Sequence, residues 1–513
     1  MTTSRPNILM IMADQLPASC VGAYGHRIIK TPHIDRLAER GVAFRSAYCN
    51  SPICAPSRAS MCTGRYVSDI GAYDNGTDFP ASTPTFMHHL GRAGYATLLS
   101  GKMHFLGPDQ SHGFQRRLTP EIYPSSFVWT PDWRQGAYHN PGTAVNQLRQ
   151  AGLCDWNLQL DYDEQVHFRA LEALRDLARR QDEDRPFFLC ASYTHPHDPF
   201  VTMPRWWDLY EHDEIDMPSV AAGPIEEMHA YNQWLQVHHM IDVYPPREED
   251  VRNARHAFYG MVSYFDECVG QLVAELDRLG MAQNTIVVVT SDHGEMLGEH
   301  GMWFKRTFYD NSVRVPLVFA GTDRIAGGRY VDQTVSLVDL LPTFNDLAGT
   351  TNRDELEAGL PGDSLCGLLE GSDFNGERHA IIEYLSEGVC EPMRTIARDN
   401  LKYVHVRSEP DQLFDLKNDP GECENVVDDP AYAGRLSHLR ETLLTDWDDD
   451  EIRACVLESQ GRRRIVNEAM AQGPRTAWDV EPQFDARTQF VREQDAQATN
   501  AAMRFPYRPS ESD

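Results

Sequence analysis

The sequence predicts an α/β protein with a large, mostly parallel sheet flanked by helices, plus a smaller C-terminal domain with an antiparallel sheet and a C-terminal tail. Short apolar runs alternate with helical patterns over the first two thirds of the chain, as in βαβ units. After about residue 376 the apolar residues alternate as in antiparallel strands. We therefore divide the chain into a main α/β domain (1–375), a small subdomain (376–445) and an extension (446–513).

Four predicted strands end in polar residues that are suited to chemistry. The strands cover 8–13, 95–99, 187–193 and 286–290, and they lead into Asp14, Lys102, His195 with His197, and Asp292 with His293. If the strands lie parallel in one sheet, these ends meet at one edge, where open α/β sheets bind ligands. The pattern thus predicts a single site at that edge. His195 is either part of the site or a structural neighbour.

Helices are predicted where apolar residues recur at steps of three and four. Thr31-Pro32 opens a helix that stops at Gly41, and Thr83-Pro84 opens one that closes at Gly94. Longer helices are expected over 161–180 and 253–279, and a further strand over 313–320.

The segment around Cys54 is predicted to begin a helix that has Pro56 in its first turn. Proline fits there because its missing N–H would have no partner in the first turn. Cys54 and Arg58 would then lie at a helix N-terminus, which favours anions. From its local sequence alone, such a cysteine is either a nucleophile or a small buried hydrophobic residue.

Composition limits the partners and the compartment. The formal net charge of −29 disfavours nucleic acid and anionic membranes, which would be repelled. We expect no membrane span, because no stretch has about 18 successive apolar residues. The 11 cysteines are odd in number and lack metal-finger spacing, which predicts a reduced protein in the cytoplasm. The apolar run at 8–13 is too short for a signal peptide.

The pattern Cys54-x-Pro56-x-Arg58, followed by Thr63-Gly64-Arg65, resembles the signature of type I sulfatases of the alkaline phosphatase superfamily. Choline sulfatases are the subfamily that the chain resembles further, in the motifs Ser100-Gly-Lys102-Met-His104, Gly107-Pro-Asp-Gln and Trp129-Thr-Pro-Asp132. The resemblance implies the sulfatase fold and conversion of Cys54 to Cα-formylglycine by a formylglycine-generating enzyme. The hydrated aldehyde, not the thiol, would be the nucleophile.

The resemblance also implies one divalent metal ion. Its ligands would be Asp14, the modified Cys54, Asp292 and His293. Gln15 stands where most sulfatases have an aspartate, so it is either a neutral ligand or none. Oxygen donors of this kind suit Ca²⁺, our first expectation, with Mn²⁺ and Mg²⁺ as alternatives.

Catalytic roles follow from the same resemblance. Arg58, Lys102 and Lys305 would stabilise the charge on the sulfuryl group. His197 would protonate or stabilise the leaving alcohol, and His104 would orient or deprotonate the hydrated aldehyde.

Substrate contacts are expected from Asn75, Trp129, His139 and Glu383. Trp129 would meet the quaternary ammonium of choline by cation–π attraction. Two departures from the subfamily concern this part: only 138–140 remain of an aromatic insert, and the tail near 497–499 lacks an expected aspartate.

The substrate expectation is therefore choline sulfate, a small alkyl sulfate. The alternative is a broad arylsulfatase with promiscuous phosphonate monoester or phosphodiester hydrolase activity, although Lys102 and His104 argue against a phosphonate hydrolase. A binding protein or inactive relative is a third interpretation. The extension 446–513 resembles a segment that joins subunits into a dimer or tetramer and covers the active site.

Overall fold

The computed structural model describes residues 5–137, 143–179, 185–350, 359–372 and 376–472. Within these ranges the main domain contains an eight-stranded sheet with the strand order β10-β2-β9-β8-β1-β6-β3-β4. The strands of the chain are β1 (Asn7–Ala13), β2 (Val42–Tyr48), β3 (Ala96–Gly101), β4 (Arg116–Arg117), β5 (Gly152–Leu153), β6 (Phe187–Ser192), β7 (Val201–Thr202), β8 (Thr285–Ser291), β9 (Leu317–Gly321), β10 (Arg329–Ser336), β11 (Ala380–Tyr384), β12 (Met393–Arg398), β13 (Leu401–Val406) and β14 (Gln412–Asp415).

Helices cover both faces of this sheet and continue into the C-terminal region. They are α1 (Pro32–Arg40), α2 (Cys54–Thr63), α3 (Val67–Ile70), α4 (Phe86–Arg92), α5 (Leu158–Arg179), α6 (Pro204–Trp207), α7 (Ala230–His238), α8 (Glu248–Arg278), α9 (Asp310–Val313), α10 (Leu340–Leu347), α11 (Cys366–Leu369), α12 (Ala433–Leu444) and α13 (Asp449–Ala471). No helix in the described ranges is long and apolar enough to span a bilayer.

The predicted fold class is confirmed. The four strands that were expected to carry the site are neighbours in the order β8-β1-β6-β3, and every pair among them is parallel. Ala13 pairs with Ser291, and Gly101 pairs with Ser192, so the polar residues that follow these strands lie at one edge. In the described part of the sheet, antiparallel pairing involves only β9, with β8 and β2.

Burial on both faces explains why these strands are continuously apolar. Along β1, Leu9 and Ile11 pack into one hydrophobic cluster, whereas Ile8 and Met10 pack into the cluster on the opposite face. Alternate residues of a strand point to opposite faces, so two cores require an unbroken apolar run.

Two element boundaries differ from expectation by four residues or more. Helix α8 begins at Glu248, five residues before the predicted start at 253, because Glu248 and Glu249 are acidic and exposed rather than apolar. Acidic side chains stabilise a helix N-terminus without leaving an apolar signal. The strand expected over 313–320 starts only at Leu317, since Val313 still belongs to α9.

The C-terminal region contains the expected antiparallel sheet, with the order β11-β12-β13-β14. Helix α13 follows it and packs back against the main domain through Val456, which joins a hydrophobic cluster with Trp133 and Tyr231. The division at 375 and 445 stays a prediction, and residues 473–513 of the extension lie outside the described ranges.

Candidate active site

Helix α2 presents Cys54 at its first position. Ile53, the residue before it, is extended and provides no side-chain cap, and every residue of α2 is buried. The Asn75 carboxamide caps the helix instead, because its Oδ1 accepts a hydrogen bond of 3.0 Å from the Ala55 amide. The helix ends at Gly64 in the left-handed conformation. The nucleophile candidate therefore sits on a rigid, fully buried element.

Four side chains from β1, α2 and β8 form a group that could hold a metal ion. One donor atom each from Asp14, Cys54, Asp292 and His293 lies within 4.8 Å of the others, and all four residues are buried. His293 Nδ1 lies 3.0 Å from the Gly294 carbonyl, which assigns the ring proton to Nδ1, and Nε2 faces the group, 3.2 Å from Cys54 Sγ. Two carboxylates and an imidazole fit a divalent cation.

Arg58 binds the two carboxylates of this group. Its Nε donates to Asp292 Oδ2 at 2.8 Å and its Nη2 to Asp14 Oδ2 at 3.0 Å. Its Nη1 donates to the Lys102 carbonyl at 2.6 Å and to Ser192 Oγ at 3.0 Å. A guanidinium has five N–H groups, so these contacts use four of them. Arg58 therefore holds the two carboxylates in place, and its expected contact with the sulfuryl group stays a prediction.

Lys102 is a buried cation beside the same site. Its ammonium forms an ion pair with Asp14 and lies 4.2 Å from the ring centroid of Tyr123. Burial lowers the pKa of Lys102, but Asp14, Cys54 and Asp292 together raise it by more, so the net effect is a raised pKa. Burial raises the pKa of Asp14, but Lys102, His197 and Arg58 hold it well below its usual range. Both groups are thus ionised.

A second set of polar residues adjoins the first. Lys305 Nζ lies 2.8 Å from His197 Nε2 and also donates to Gln15 Oε1. The Gln15 amide nitrogen donates to Asp198, at 3.3 Å, and to Glu295. Gln15 therefore links Lys305 to two carboxylates, and its side chain contacts no member of the metal-ligand group in these bonds.

The rings of His104, Tyr123 and Trp129 lie close together beside Lys102. The ring centroid of Trp129 lies 5.6 Å from that of His104 and 5.7 Å from that of Tyr123, both edge-on. Among the described residues, neither nitrogen of His104 has a hydrogen-bond partner, although the ring is buried. Burial and the cations Lys102 and Arg58 hold the pKa of His104 well below its usual range. His104 is thus a neutral imidazole with free polar atoms.

Two residues named in the sequence analysis, His195 and Glu383, are bonded to partners outside the metal-ligand group. His195 Nδ1 is bonded to Asp163 at 2.6 Å, so this ring is engaged away from the metal-ligand group. Glu383 is fully buried, and its carboxylate accepts from the Ser68 amide and hydroxyl and pairs with Arg394 at 3.1 Å. These contacts connect Glu383 to α3, and its expected contact with substrate stays a prediction. His139 lies outside the described residues.

Sequence reasoning did not identify Tyr123 as a site residue, and it did not predict the bonding partners of Gln15. The hydroxyl of Tyr123 lies 3.3 Å from His197 Nδ1, while its ring faces Lys102. Tyr123 sits in an irregular segment without periodicity, and a pattern search has no signal there. The only available sign was the high aromatic content of residues 107–160, which is typical of functional loops.

Family models match nearly all of the chain. The model described as "Sulfatase" matches residues 6–350. A model for the C-terminal part of N-sulphoglucosamine sulphohydrolase matches 298–448, and one for the choline sulfatase enzyme C terminal matches 454–503. The last match begins inside α13.

Relatives and solved structures agree with these matches. The chain is 40% identical over 503 residues to a choline-sulfatase of Rhizobium meliloti (strain 1021), covering 96% of each sequence. It is 27% identical to an arylsulfatase of Clostridium perfringens, covering 87% of this chain and 95% of that one. Phosphonate monoester hydrolase of Agrobacterium radiobacter is similar in structure, with a TM-score of 0.67 and 26% identity, over 88% of this chain and 96% of that one.

Proposed function

Since the chain belongs to the sulfatase family and is a sulfuric ester hydrolase, we propose that its substrate is choline sulfate. The choline-sulfatase relative at 40% identity and the C-terminal match over 454–503 support this. The observation that carries the proposal is the aromatic corner formed by Trp129 and Tyr123 beside His104.

The aromatic corner suits a quaternary ammonium. Such a cation cannot donate hydrogen bonds, and the face of an indole or phenol attracts it by about 0.5–2 kcal/mol. Trp129 and Tyr123 lie next to Lys102 and His104, so a cation bound there stays close to a sulfate ester at Cys54. The short ethylene link between the two charged ends of choline sulfate suits this proximity.

Residue 54 would act after oxidation to formylglycine by a formylglycine-generating enzyme. When hydrated, this group supplies a nucleophilic oxygen and is regenerated as sulfate leaves. A divalent cation, with Ca²⁺ as the first candidate and Mn²⁺ or Mg²⁺ as alternatives, would be held by Asp14, Asp292, His293 and residue 54. It would supply Lewis-acid polarisation of a sulfuryl oxygen. The four donors within 4.8 Å support this assignment.

The other side chains bind and orient the ester. Lys102 and Lys305 provide buried positive charge on two sides of the site, where low solvent access strengthens their attraction for sulfuryl oxygens. Arg58 holds Asp14 and Asp292 in place through its bonds of 3.0 and 2.8 Å. The position of Lys305 beside His197 means that both can serve the same region of the substrate.

His197 and His104 handle protons. The alkoxide of choline is a poor leaving group, so its departure requires a proton or a strong hydrogen bond, and His197 is the group proposed to supply it. His104 is buried and neutral with unpartnered nitrogens, which supports its role as an acceptor for the hydroxyl of hydrated residue 54.

The experiment is a turnover assay on protein co-expressed with a formylglycine-generating enzyme. Choline sulfate is compared with 4-nitrophenyl sulfate and with 3,3-dimethylbutyl sulfate, an isostere that lacks the positive charge of the ammonium. Wild type should prefer choline sulfate by kcat/KM, and W129L should lose about tenfold or more of that preference over the isostere. Equal turnover of choline sulfate and its isostere by the wild type would overturn the assignment. A lowered mass of the Cys54 peptide verifies that residue 54 was converted.

Phosphonate monoester hydrolysis is the second candidate, as a side activity. The structural similarity to phosphonate monoester hydrolase of Agrobacterium radiobacter, at 26% identity, favours it. Phenyl phosphonate monoester belongs in the same assay, and we expect a lower kcat/KM for it than for any of the three sulfates.

Further features of the proposal concern assembly and location. The extension 446–513 would join subunits into a dimer or tetramer and cover the site, and the packing of α13 beside Trp133 supports the covering role. We place the enzyme in the cytoplasm, and its 11 free thiols are compatible with a reducing compartment. Analytical ultracentrifugation of the full chain and of a chain ending at 472 tests the role of the tail.

A further inference from the structure

Arg463, on helix α13, forms a buried ion pair with the main domain. Its Nη1 and Nη2 each donate to one carboxylate oxygen of Asp74, both at 2.7 Å. The side chains of Arg463 and Asp74 are 4% and 0% exposed. Such a two-pronged contact fixes both distance and angle, and a single-point ammonium cannot reproduce it.

A third bond extends this pair to another segment. Arg463 Nη1 also donates to Thr130 Oγ1 at 3.0 Å. Asp74 precedes Asn75, which caps the nucleophile helix at Ala55, and Thr130 follows Trp129. One guanidinium therefore joins the turn beside the nucleophile to the turn that carries the proposed choline-binding indole.

The two turns are also in direct contact. A Cβ atom added to Gly76 would lie 2.5 Å from the Thr130 nitrogen and 2.8 Å from the Trp129 carbonyl carbon. Only a residue without a side chain allows this approach. The Asp74 carboxylate stabilises its own turn by accepting from the Gly76 amide at 2.8 Å. The position of Trp129 relative to α2 thus depends on how closely the two turns pack.

Neighbouring residues of α13 bind the same loop. Gln460 Oε1 accepts from the Trp133 amide at 3.0 Å, and Arg464 pairs with Asp132. By contrast, Arg462 points to solvent and pairs only with Glu458 on its own helix in the described structure, with both side chains 69% exposed. The contacts of α13 with residues 130–133 therefore come from one face of the helix.

We propose that Arg463 is a positioning residue for substrate recognition. By binding Asp74 and Thr130 together, it sets the distance between the nucleophile at the start of α2 and the indole of Trp129. The C-terminal helix thereby determines selectivity for a sulfate ester with a quaternary ammonium, although none of the bonds described for it reaches Cys54. This role rests on the proposed function, because it takes Trp129 as the group that meets the cation.

The test compares R463M, R463K and D74N with the matched control R462M, all in the full-length, formylglycine-containing enzyme. R463M keeps an unbranched aliphatic side chain but removes the guanidinium group. We expect its preference for choline sulfate over 3,3-dimethylbutyl sulfate to fall about tenfold, mainly through KM. The preference for choline sulfate should fall by less in R463K and by as much in D74N as in R463M. In R462M it should equal that of the wild type. A purely structural defect would reduce turnover of both esters alike and leave their ratio unchanged.

Hydrogen exchange gives a readout that does not depend on the substrate. Amides in 72–78 and 127–133 should exchange faster in R463M and D74N than in R462M, while those in the central sheet stay protected. If the wild type shows no preference for choline sulfate, the proposed substrate fails, and faster exchange in these turns still supports the positioning role. Where the wild type prefers choline sulfate, a substrate ratio of R463M and D74N equal to that of R462M would overturn the inference. Where it does not, exchange equal to that of R462M would overturn it. D74N serves as the second variant if R463M does not fold.

Discussion

Lys305 Nζ lies 2.8 Å from His197 Nε2, although the two residues are 108 positions apart. His197 Nδ1 lies 2.6 Å from the carbonyl of Asp198, which fixes the orientation of the ring. This pair would suit a sulfate ester, because the ester carries negative charge on its sulfuryl oxygens and its bridging oxygen leaves as an alcohol.

Replacing His197 should affect alkyl sulfates more than aryl sulfates. H197Q removes the proposed proton donor, and an alkoxide needs that proton far more than a nitrophenolate does. We expect kcat for choline sulfate to fall by about 10²–10⁴-fold, and kcat for 4-nitrophenyl sulfate to fall much less. Steady-state kinetics on both substrates measures this. Equal losses on the two esters would show that His197 acts on something other than the leaving group.

Divalent metal should stabilise the fold through the buried donor group. Two carboxylates and His293 Nε2 face one point, so a bound cation lowers the free energy of the folded state. After chelator treatment, adding Ca²⁺ to about 100 times its Kd should stabilise the protein by about 2.7 kcal/mol. Differential scanning calorimetry records the rise in Tm. D292N should abolish most of the rise, whereas D277N, which changes an exposed carboxylate on α8, should keep it.

His405 should make stability depend on pH in the alkaline range. Burial lowers its pKa, but hydrogen bonds with Asp411 and Asp449 raise it to about 9. A folded-state pKa above the unfolded value of about 6.5 stabilises the fold fully below that value, and the stabilisation is lost as pH rises through about 9. Allowing for solvent screening, we expect about 1–2 kcal/mol.

The measurement is the urea midpoint of H405Q and wild type at about pH 6 and about pH 10. H405Q should be less stable at the lower pH and nearly equal to wild type at the higher one. H229Q is the matched control, because burial lowers the pKa of His229, so that its titration does not reach the alkaline range in which His405 loses its proton. A deficit of H405Q that is the same at both pH values would contradict the titration.

Gly76 should not tolerate even a methyl group. The Cβ of G76A would lie 2.5 Å from the Thr130 nitrogen, which forces the two turns apart. We expect a loss of about 1–3 kcal/mol in stability, together with a higher KM for choline sulfate. Thermal melting and kinetics measure the two effects. G223A is the control, since nothing lies within 4 Å of a Cβ at Gly223, and an effect of G76A no larger than that of G223A would refute the close packing.

The sequence alone determined the sheet and the meeting of its polar strand ends, whereas the metal-ligand set was implied by the resemblance to sulfatases. Each buried parallel strand needs apolar residues on both faces, so Ile8, Met10 and their counterparts mark the strands as unbroken runs. Polar residues directly after such runs fall at one sheet edge, and Asp14, Asp292 and His293 therefore meet Cys54. These features depend on local chain geometry and on one rule of sheet topology, which is why they were predictable.

Only the tertiary structure decided which polar groups engage each other. Arg58 donates hydrogen bonds to Asp14 and Asp292. Glu383 binds Ser68 and Arg394. Arg463 binds Asp74, which is 389 positions away in the sequence. The sequence does not indicate which partner a charged side chain will have, because ion pairs and hydrogen bonds form between the groups that packing brings within about 3 Å of each other. Sequence patterns specify the elements, whereas the partners of buried polar groups follow from how distant elements pack.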